Sequence, residues 1–310
     1  VLHPYSANFD VNIKAECLSP LSHGADGKAG NATLFRRRQV ITEKGRTLTL
    51  PFYAGNAIRG QIRDLLADHF LSSLGYIPRK DTPPCNLWFF HALYAGGVLE
   101  EASKVTENIE KELGKHGSVR TDGLRRMRDM IPPMSLLGSA LGNKIVPGRI
   151  SVADLRPVCK EWGFPESANA AQLTDWEYLT RRDDHEGRTS EDQHNGMIAM
   201  TEVLRTGTEL VGGIDIDTHA SDIDKACLGM GLKLLKEKGK LGAENRRGFG
   251  KIAFEIENIP DSKPYEEFLE KNRDEIIKYL YDIDAVTLNT TYGGQIASGQ
   301  LDCFGDIDKF

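Results

Sequence analysis

The chain is poor in the features that organise secreted, membrane-spanning or zinc-built proteins. Its five cysteines, Cys17, Cys85, Cys159, Cys227 and Cys303, are odd in number, widely spaced and without a CxxC pair. That argues against a disulfide framework and against a zinc site. It fits buried thiols in a reducing, cytoplasmic setting. No run of about 18 apolar residues suggests a membrane span. No charged-then-apolar leader opens the chain, which starts at Val1 rather than Met, as after trimming or processing. A P-loop G-K-[ST], a nucleophile elbow, a His-x-x-x-His helix and a paired-carboxylate signature are all missing. Neither a cofactor nor a metal is therefore expected. Asp215, Asp217, Asp222 and Asp224 form an acidic run, but the last two are accounted for by helix capping.

Positive charge is also in deficit. The formal net charge is −6, whereas a protein that coats nucleic acid indiscriminately is basic. Phosphate contacts depend on local potential, however, and can coexist with acidity on another face. The arginines come in clumps: Arg36, Arg37 and Arg38; Arg125, Arg126 and Arg128; Arg181 and Arg182; Arg246 and Arg247. The 310 residues suffice for one large domain or two small ones, and a 40% hydrophobic content supports a sizeable core.

Residues 9–18 alternate apolar and polar, the pattern of a half-buried strand. A Gly/Ser/Pro-rich loop is expected over 19–31, then an extended segment through Leu34, the arginine triplet, Val40 and Ile41, and a short strand over 47–51. Residues 56–73 read as a helix with Asn56 as its cap and Ile58, Ile62, Leu65, Leu66, His69 and Phe70 on one face. Residues 78–144 break the pattern: prolines, the aromatic patch Trp88-Phe89-Phe90, a charged helix over 98–113, a basic segment over 120–128 and a turn at Pro132-Pro133. Residues 144–154 read as a strand, 180–196 as a polar loop or hairpin tip, and 208–216 as a strand. A helix over 222–238 is capped by Ser221 with Asp224 three residues on, and a strand over 251–257 closes the pattern. One further helix is expected over 264–281, then a Gly/Thr/Asn-rich tail. The order is two β-α-β halves of a ferredoxin-like α+β sheet.

Four segments bear on function. The turn Asn245-Arg246-Arg247-Gly248-Phe249-Gly250 lies between a helix and a strand. Its arginines either grip phosphate or are simply solvated. In Arg36-Arg37-Arg38, an extended backbone puts Arg36 and Arg38 on one face and Arg37 opposite. The sequence Phe52 to Gly60 places a Gly-Asn turn at a helix N-terminus, which is either an anion site or a plain cap, with Arg59 and Arg63 one turn apart. His23 and Asp26 share a loop and offer a weak acid–base pair for RNA cleavage.

Taken together, five segments resemble, in order, the RAMP superfamily of CRISPR proteins, in its guide-binding backbone branch. They are Leu18 to Gly24; Leu50-Pro-Phe-Tyr-Ala-Gly-Asn-Ala-Ile-Arg-Gly-Gln-Ile-Arg63; Leu136 to Ala140 with Arg149 to Asp154; Glu202 to Glu209; and Arg246 to Gly250. The resemblance implies an RRM-like palm (1–77 and 144–258), a helical fingers insertion (78–143), a thumb hairpin (176–207) and a C-terminal helix and tail (259–310). It implies a non-catalytic subunit that polymerises in a helical filament along a guide crRNA, beside other CRISPR effector subunits, and presents the guide to target DNA or RNA. Arg36, Arg37, Arg38, Asn56, Arg59, Arg63, Arg181, Arg182, Arg246 and Arg247 would face the RNA, with Phe249 beside them. Met197 and Ile198 would form an apolar wedge at the thumb tip. Type III relatives that cut RNA carry an aspartate where this chain reads Gly30-Asn31-Ala32-Thr33-Leu34. Asn31 cannot ionise, which favours a non-cleaving, type IV-like subunit with DNA as the target. The alternative is an endoribonuclease using Asp26.

Overall fold

Strict alternation builds the central sheet. In β1 (Val11–Cys17), Val11, Ile13, Ala15 and Cys17 are buried, while Lys14 and Glu16 face outward. The computed structural model describes residues 8–29, 32–42, 44–75, 92–97, 121–141, 144–180 and 198–288. After β1 come β2 (Gly24–Ala29), β3 (Ala32–Phe35), β4 (Arg37–Ile41), β5 (Thr47–Pro51) and helix α1 (Gly55–Ser73). Helices α2 (Thr121–Met130) and α3 (Pro132–Leu137) follow, then β6 (Ser139–Leu141), β7 (Lys144–Val146), β8 (Ile150–Val152) and β9 (Arg156–Pro157). The remainder is β10 (Thr174–Thr180), β11 (Ile198–Leu204), β12 (Glu209–Ile216), α4 (Asp222–Lys238), β13 (Ile252–Glu257), α5 (Lys263–Lys271) and α6 (Arg273–Leu288).

The main sheet runs β13-β1-β12-β8, with β9 also on β12. β1 is antiparallel to both neighbours, with Ile13 opposite Gly212 and Ile256. Chain order is thus β1…α1…β8 and β12-α4-β13, and the fourth strand sits beside the first, then the third and the second. That is the expected pair of β-α-β halves in an RRM-like α+β arrangement. A second sheet, β10-β11-β3-β2, and the ribbons β4-β5 and β6-β7 are added to it in sequence.

The chain clusters into two compact units: residues 1–58, 152–214 and 236–258, and residues 59–151, 215–235 and 259–310. The first contains a satellite core of Leu50, Phe52, Cys159, Trp162 and Ala170, with Val40, Leu48, Ala54, Phe164 and Leu173 packed against it. Trp162 donates its ring N–H to the Pro51 carbonyl at 3.0 Å. The sequence reading did not anticipate this cluster. In the second unit, Ile62, Leu66 and Phe70 of α1 are buried. Ile62 and Leu66 lie directly against Gly231 of α4, where a Cβ would stand 2.8 Å from Ile62 Cγ2. Only a residue without a side chain lets the two helices approach this closely.

Several boundaries differ from expectation, each for a physical reason. The Gly-rich loop over 19–31 contains β2, held by pairing with β3 across a bulge rather than by its own propensity. Residues 144–154 form two strands, because Pro147-Gly148 interrupts them. Pro132-Pro133 does not turn the chain but opens α3, where a missing N–H costs nothing. The basic segment is helix α2. The single C-terminal helix is two helices, divided where Asn272 caps α5 by donating its backbone and side-chain N–H groups to the Phe268 carbonyl. Ser221 and Asp224 do form the reciprocal cap of α4: Ser221 N and Oγ donate to Asp224 Oδ2 at 2.9 Å, and Asp224 N donates to Ser221 Oγ at 3.1 Å. The expected helix at 98–113, the aromatic patch at 88–90, the polar loop over 180–196 beyond Thr180 and the tail from 289 lie outside the described residues.

A Cβ at Gly229 of α4 would fall inside contact distance of the Pro260 carbonyl, a backbone atom that cannot swing aside. Gly229→Ala gains about 1 kcal/mol of helix propensity but incurs about 1–3 kcal/mol of overpacking. We expect a net loss, read as a lower urea midpoint at unchanged slope. An unchanged or raised midpoint would show that the Pro260 segment yields freely.

Candidate nucleic-acid interface

Segments scattered through the sequence meet in the first unit. The glycine-rich turn at 242–250 lies on residues 20–22: Gly250 N donates to the Pro20 carbonyl at 2.8 Å, and Ala243 N to the Ser22 carbonyl at 3.1 Å. Gly242 (φ 74°) and Gly250 (φ 74°) are left-handed, and a Cβ on either would collide with backbone, Ser22 O in one case and Leu241 O in the other. Glycine is required at both. The Tyr53 hydroxyl accepts from Gly242 N at 2.9 Å. The Tyr53 ring lies 4.4 Å from that of His23, whose Nε2 accepts from Ala54 N at 3.1 Å. His23 is thus committed as an acceptor to the main chain, which weakens it as a general base. The Asp26 backbone belongs to β2; its side chain lies outside the described residues.

The arginine triplet is divided among three partners. Arg36 donates its backbone N–H to the His23 carbonyl at 2.8 Å and its Nε to the Gly24 carbonyl at 3.3 Å. Arg37 forks onto Glu202, with Nη1 2.6 Å from Oε2 and Nη2 on Oε1. Glu202 is buried and also accepts from Phe35 N at 2.9 Å. Burial alone would raise the Glu202 carboxyl, but the hydrogen bonds from Arg37 and Phe35 outweigh it and hold the group below its usual range. Arg38, half exposed, stacks 4.4 Å from the Phe52 ring centroid and pairs with Asp154 Oδ2 at 2.5 Å. The other oxygen of Asp154 accepts Gly55 N at 2.9 Å.

This last bond corrects the reading of α1. The helix begins at Gly55, so Asn56 is an exposed first-turn residue rather than the cap. The N-terminal end already holds an anion of its own, Asp154. Arg59, partly buried, and Arg63, buried, lie in the second unit. Both donate to the Leu137 carbonyl at the C-terminal end of α3, Arg63 at 2.9 Å. Arg63 is only 8% exposed. Burial, and then the neighbouring Arg59, bring its guanidinium down to about 10. Phe249 is likewise core rather than surface. Arg246 and Arg247 are exposed in a 3-10 turn. Arg247 Nε reaches Glu244 at 3.2 Å, and Arg246 has no ion pair among the described residues. Arg181, Arg182 and Met197 lie outside the described residues, as does the side chain of Ile198.

The open face of the main sheet is acidic. Glu16, Glu209, Glu255 and Glu257 share it with Lys14 and Arg156, and the Phe9 ring stands against Gly213 on the same side. Burial pushes the Cys17 thiol up to about 12 and the Cys159 thiol up to about 11, and holds Cys227 well above the ordinary thiol range. These thiols stay protonated and unreactive. Among the described residues no three His, Cys, Asp or Glu side chains cluster as metal ligands, and no helix is long and apolar enough to cross a membrane.

Comparison with known proteins adds the class of the fold. No protein-family model matches the chain, and no curated protein matches its sequence. Among solved structures it is similar to a chain of a "Type IV-B CRISPR Complex", with a TM-score of 0.50 and 16% identity, over 79% of this chain and 89% of that one. The two share a fold.

The buried pair sets an acid limit on stability. Because the Glu202 pKa is depressed in the folded state, its contribution is complete above the ordinary glutamate value. It is lost as pH falls through the depressed one. Urea unfolding of the wild type should therefore weaken steeply below about pH 4.3, and Glu202→Gln should flatten that slope. Arg37→Leu leaves the buried carboxylate unpaired and should cost about 3 kcal/mol at neutral pH. Equal acid slopes in wild type and Glu202→Gln would mean that the pair carries no pH-dependent stability.

Proposed function

We propose that the chain is a non-catalytic subunit of a CRISPR effector complex, binding guide crRNA as a backbone protein of the RAMP type and leaning to type IV. The observation that carries this reading is the RRM-like fold shared with a chain of a type IV-B CRISPR complex. The convergence of residues 20–24, 36, 53 and 242–250 on one side of the first unit supports it. There, two exposed arginines project from a turn whose glycines leave its backbone open to a ligand. Gly248 (φ 91°) has no atom within 4 Å of where a Cβ would stand. Arg36 and Arg38 extend the same positive edge. The acidic sheet face repels phosphate, so the guide runs along this loop edge and not across the strands where RRM proteins stack bases. Arg59 and Arg63 serve packing of the helical unit in this reading, and copies of the chain follow one another along the guide beside other effector subunits. Residues 78–143 act as fingers and 176–207 as the thumb.

The test is co-expression with a guide RNA followed by size exclusion, comparing nucleic-acid and protein absorbance across the peak. A large nucleoprotein peak holding RNA of defined length supports the reading. Arg246→Glu with Arg247→Glu should shed the RNA. If binding is measured by titration, neutralising both with Gln should reduce the slope of log K against log salt by about 1.4, at about 0.7 per phosphate contact on a single strand. An unchanged slope would remove the turn from the interface, and an RNA-free monomer obtained in the presence of partner subunits would overturn the function.

A further inference from the structure

The second unit contains a cleft of about 370 Å³ that the guide-binding reading does not use. Its walls bring together Arg125 and Arg128 of α2, Arg149 from the segment before β8, and His219 and Ser221 ahead of α4. Arg128 donates Nη2 to the Pro147 carbonyl at 2.9 Å, and Arg149 stands 3.9 Å from Asp217 Oδ1, beyond hydrogen-bond reach. The Nε atoms of both are buried without a hydrogen-bond partner. Burial, and then the charge of Arg149, depress the Arg128 guanidinium, while Asp224 and Asp217 partly oppose the shift.

The local carboxylates Asp217 and Asp224 act on this charge, but each is also committed elsewhere. Asp224 is committed to the Ser221 cap. Asp217 is committed to His219, through its backbone N–H at 2.7 Å and its ring at 2.9 Å. Asp129 also lines the cleft, and its carboxyl is raised by burial. The α4 N-terminus is already capped, so the guanidinia and not the helix end define the site.

We propose that this cleft is a binding site for the phosphate group of a nucleotide, with Arg128 and Arg149 as the primary ligands and Arg125 at the mouth. Guanidinia are suited to phosphate because their planar forks match its oxygens. The volume lies at the small end of the roughly 300–1,000 Å³ of ligand pockets, larger than a bare ion needs and suited to a nucleotide unit. The phosphate comes either from a terminal monoester or from an internal diester of a nucleic acid.

The proposal is tested by calorimetric titration of the purified chain with adenosine 5′-monophosphate and with adenosine. The monophosphate should bind and adenosine should not. Arg128→Gln with Arg149→Gln should weaken binding at least tenfold, and a thermal melt checks that this variant folds. Arg125→Gln, at an exposed position, keeps the test open if the double variant does not fold, and should weaken binding several-fold. Arg246→Gln with Arg247→Gln should leave it unchanged, which separates this cleft from the guide interface. A dinucleotide without a terminal phosphate assigns the source: competition identifies the diester, its absence the monoester. Equal affinity for adenosine and its monophosphate, or undiminished binding in the cleft variants, would overturn the proposal.

Discussion

Two carboxylates, Glu202 and Asp154, decide what the arginine triplet can do. Each accepts both a guanidinium and a backbone N–H: Arg37 and Phe35 N in the case of Glu202, Arg38 and Gly55 N in the case of Asp154. Each therefore fixes a turn of the chain as well as a charge. Glu202 locks the step from β3 into β4, and Asp154 locks the entry to α1 and the neighbouring end of β4. Arg37 is consumed by this arrangement. Arg38 is only partly consumed, since half of its side chain remains exposed and its stacking on Phe52 presents the guanidinium in a fixed plane. An RNA phosphate arriving at Arg38 would meet a cation held in place in advance, at the cost of competing with Asp154.

On the proposed function, electrostatics would account for how an acidic chain serves a polyanion. Four glutamates gather on the open face of the main sheet, beside Lys14 and Arg156. The exposed Arg246 and Arg247 sit in the turn that precedes β13, on a different edge of the same unit. Net charge sums the two; a bound strand does not, because screening limits each phosphate to charges within about 8–10 Å. On that reading, segregation of sign would steer a nucleic-acid strand to the loop edge and away from the sheet face.

What was legible in the sequence had local periodicity. The helices α1 and α4 and the strands β1, β12 and β13 follow from apolar spacing, and their order gives the two β-α-β halves. The Ser221–Asp224 cap is three residues wide and equally readable. What failed depended on distant partners. Glu202 is 165 residues from Arg37, and Leu137 is 74 from Arg63. An arginine bound to a far carbonyl looks identical, in sequence, to one waiting for phosphate. β2 was missed because its residues carry no strand propensity and it exists through its pairing with β3. The satellite core around Trp162 was missed because its members come from both ends of a 120-residue interval. Arg128 and Arg149 were visible as charges, but their convergence was not.

The same contrast separates the two arginine groups of the second unit. Arg59 and Arg63 both point at one carbonyl, that of Leu137, and so act as a cap for α3; the cations are close, but a shared acceptor lies between them. Arg128 and Arg149 have no shared acceptor: their donors diverge onto Pro147 and toward Asp217, and the Nε of each is buried without a partner, as are Arg59 Nε and Arg63 Nη1. A buried donor without an acceptor costs about 1–3 kcal/mol, and like charges in a partly desolvated cleft add to it. A fold keeps such an arrangement at no benefit to its own stability. On the proposal above, an incoming oxyanion in the cleft would relieve both penalties at once.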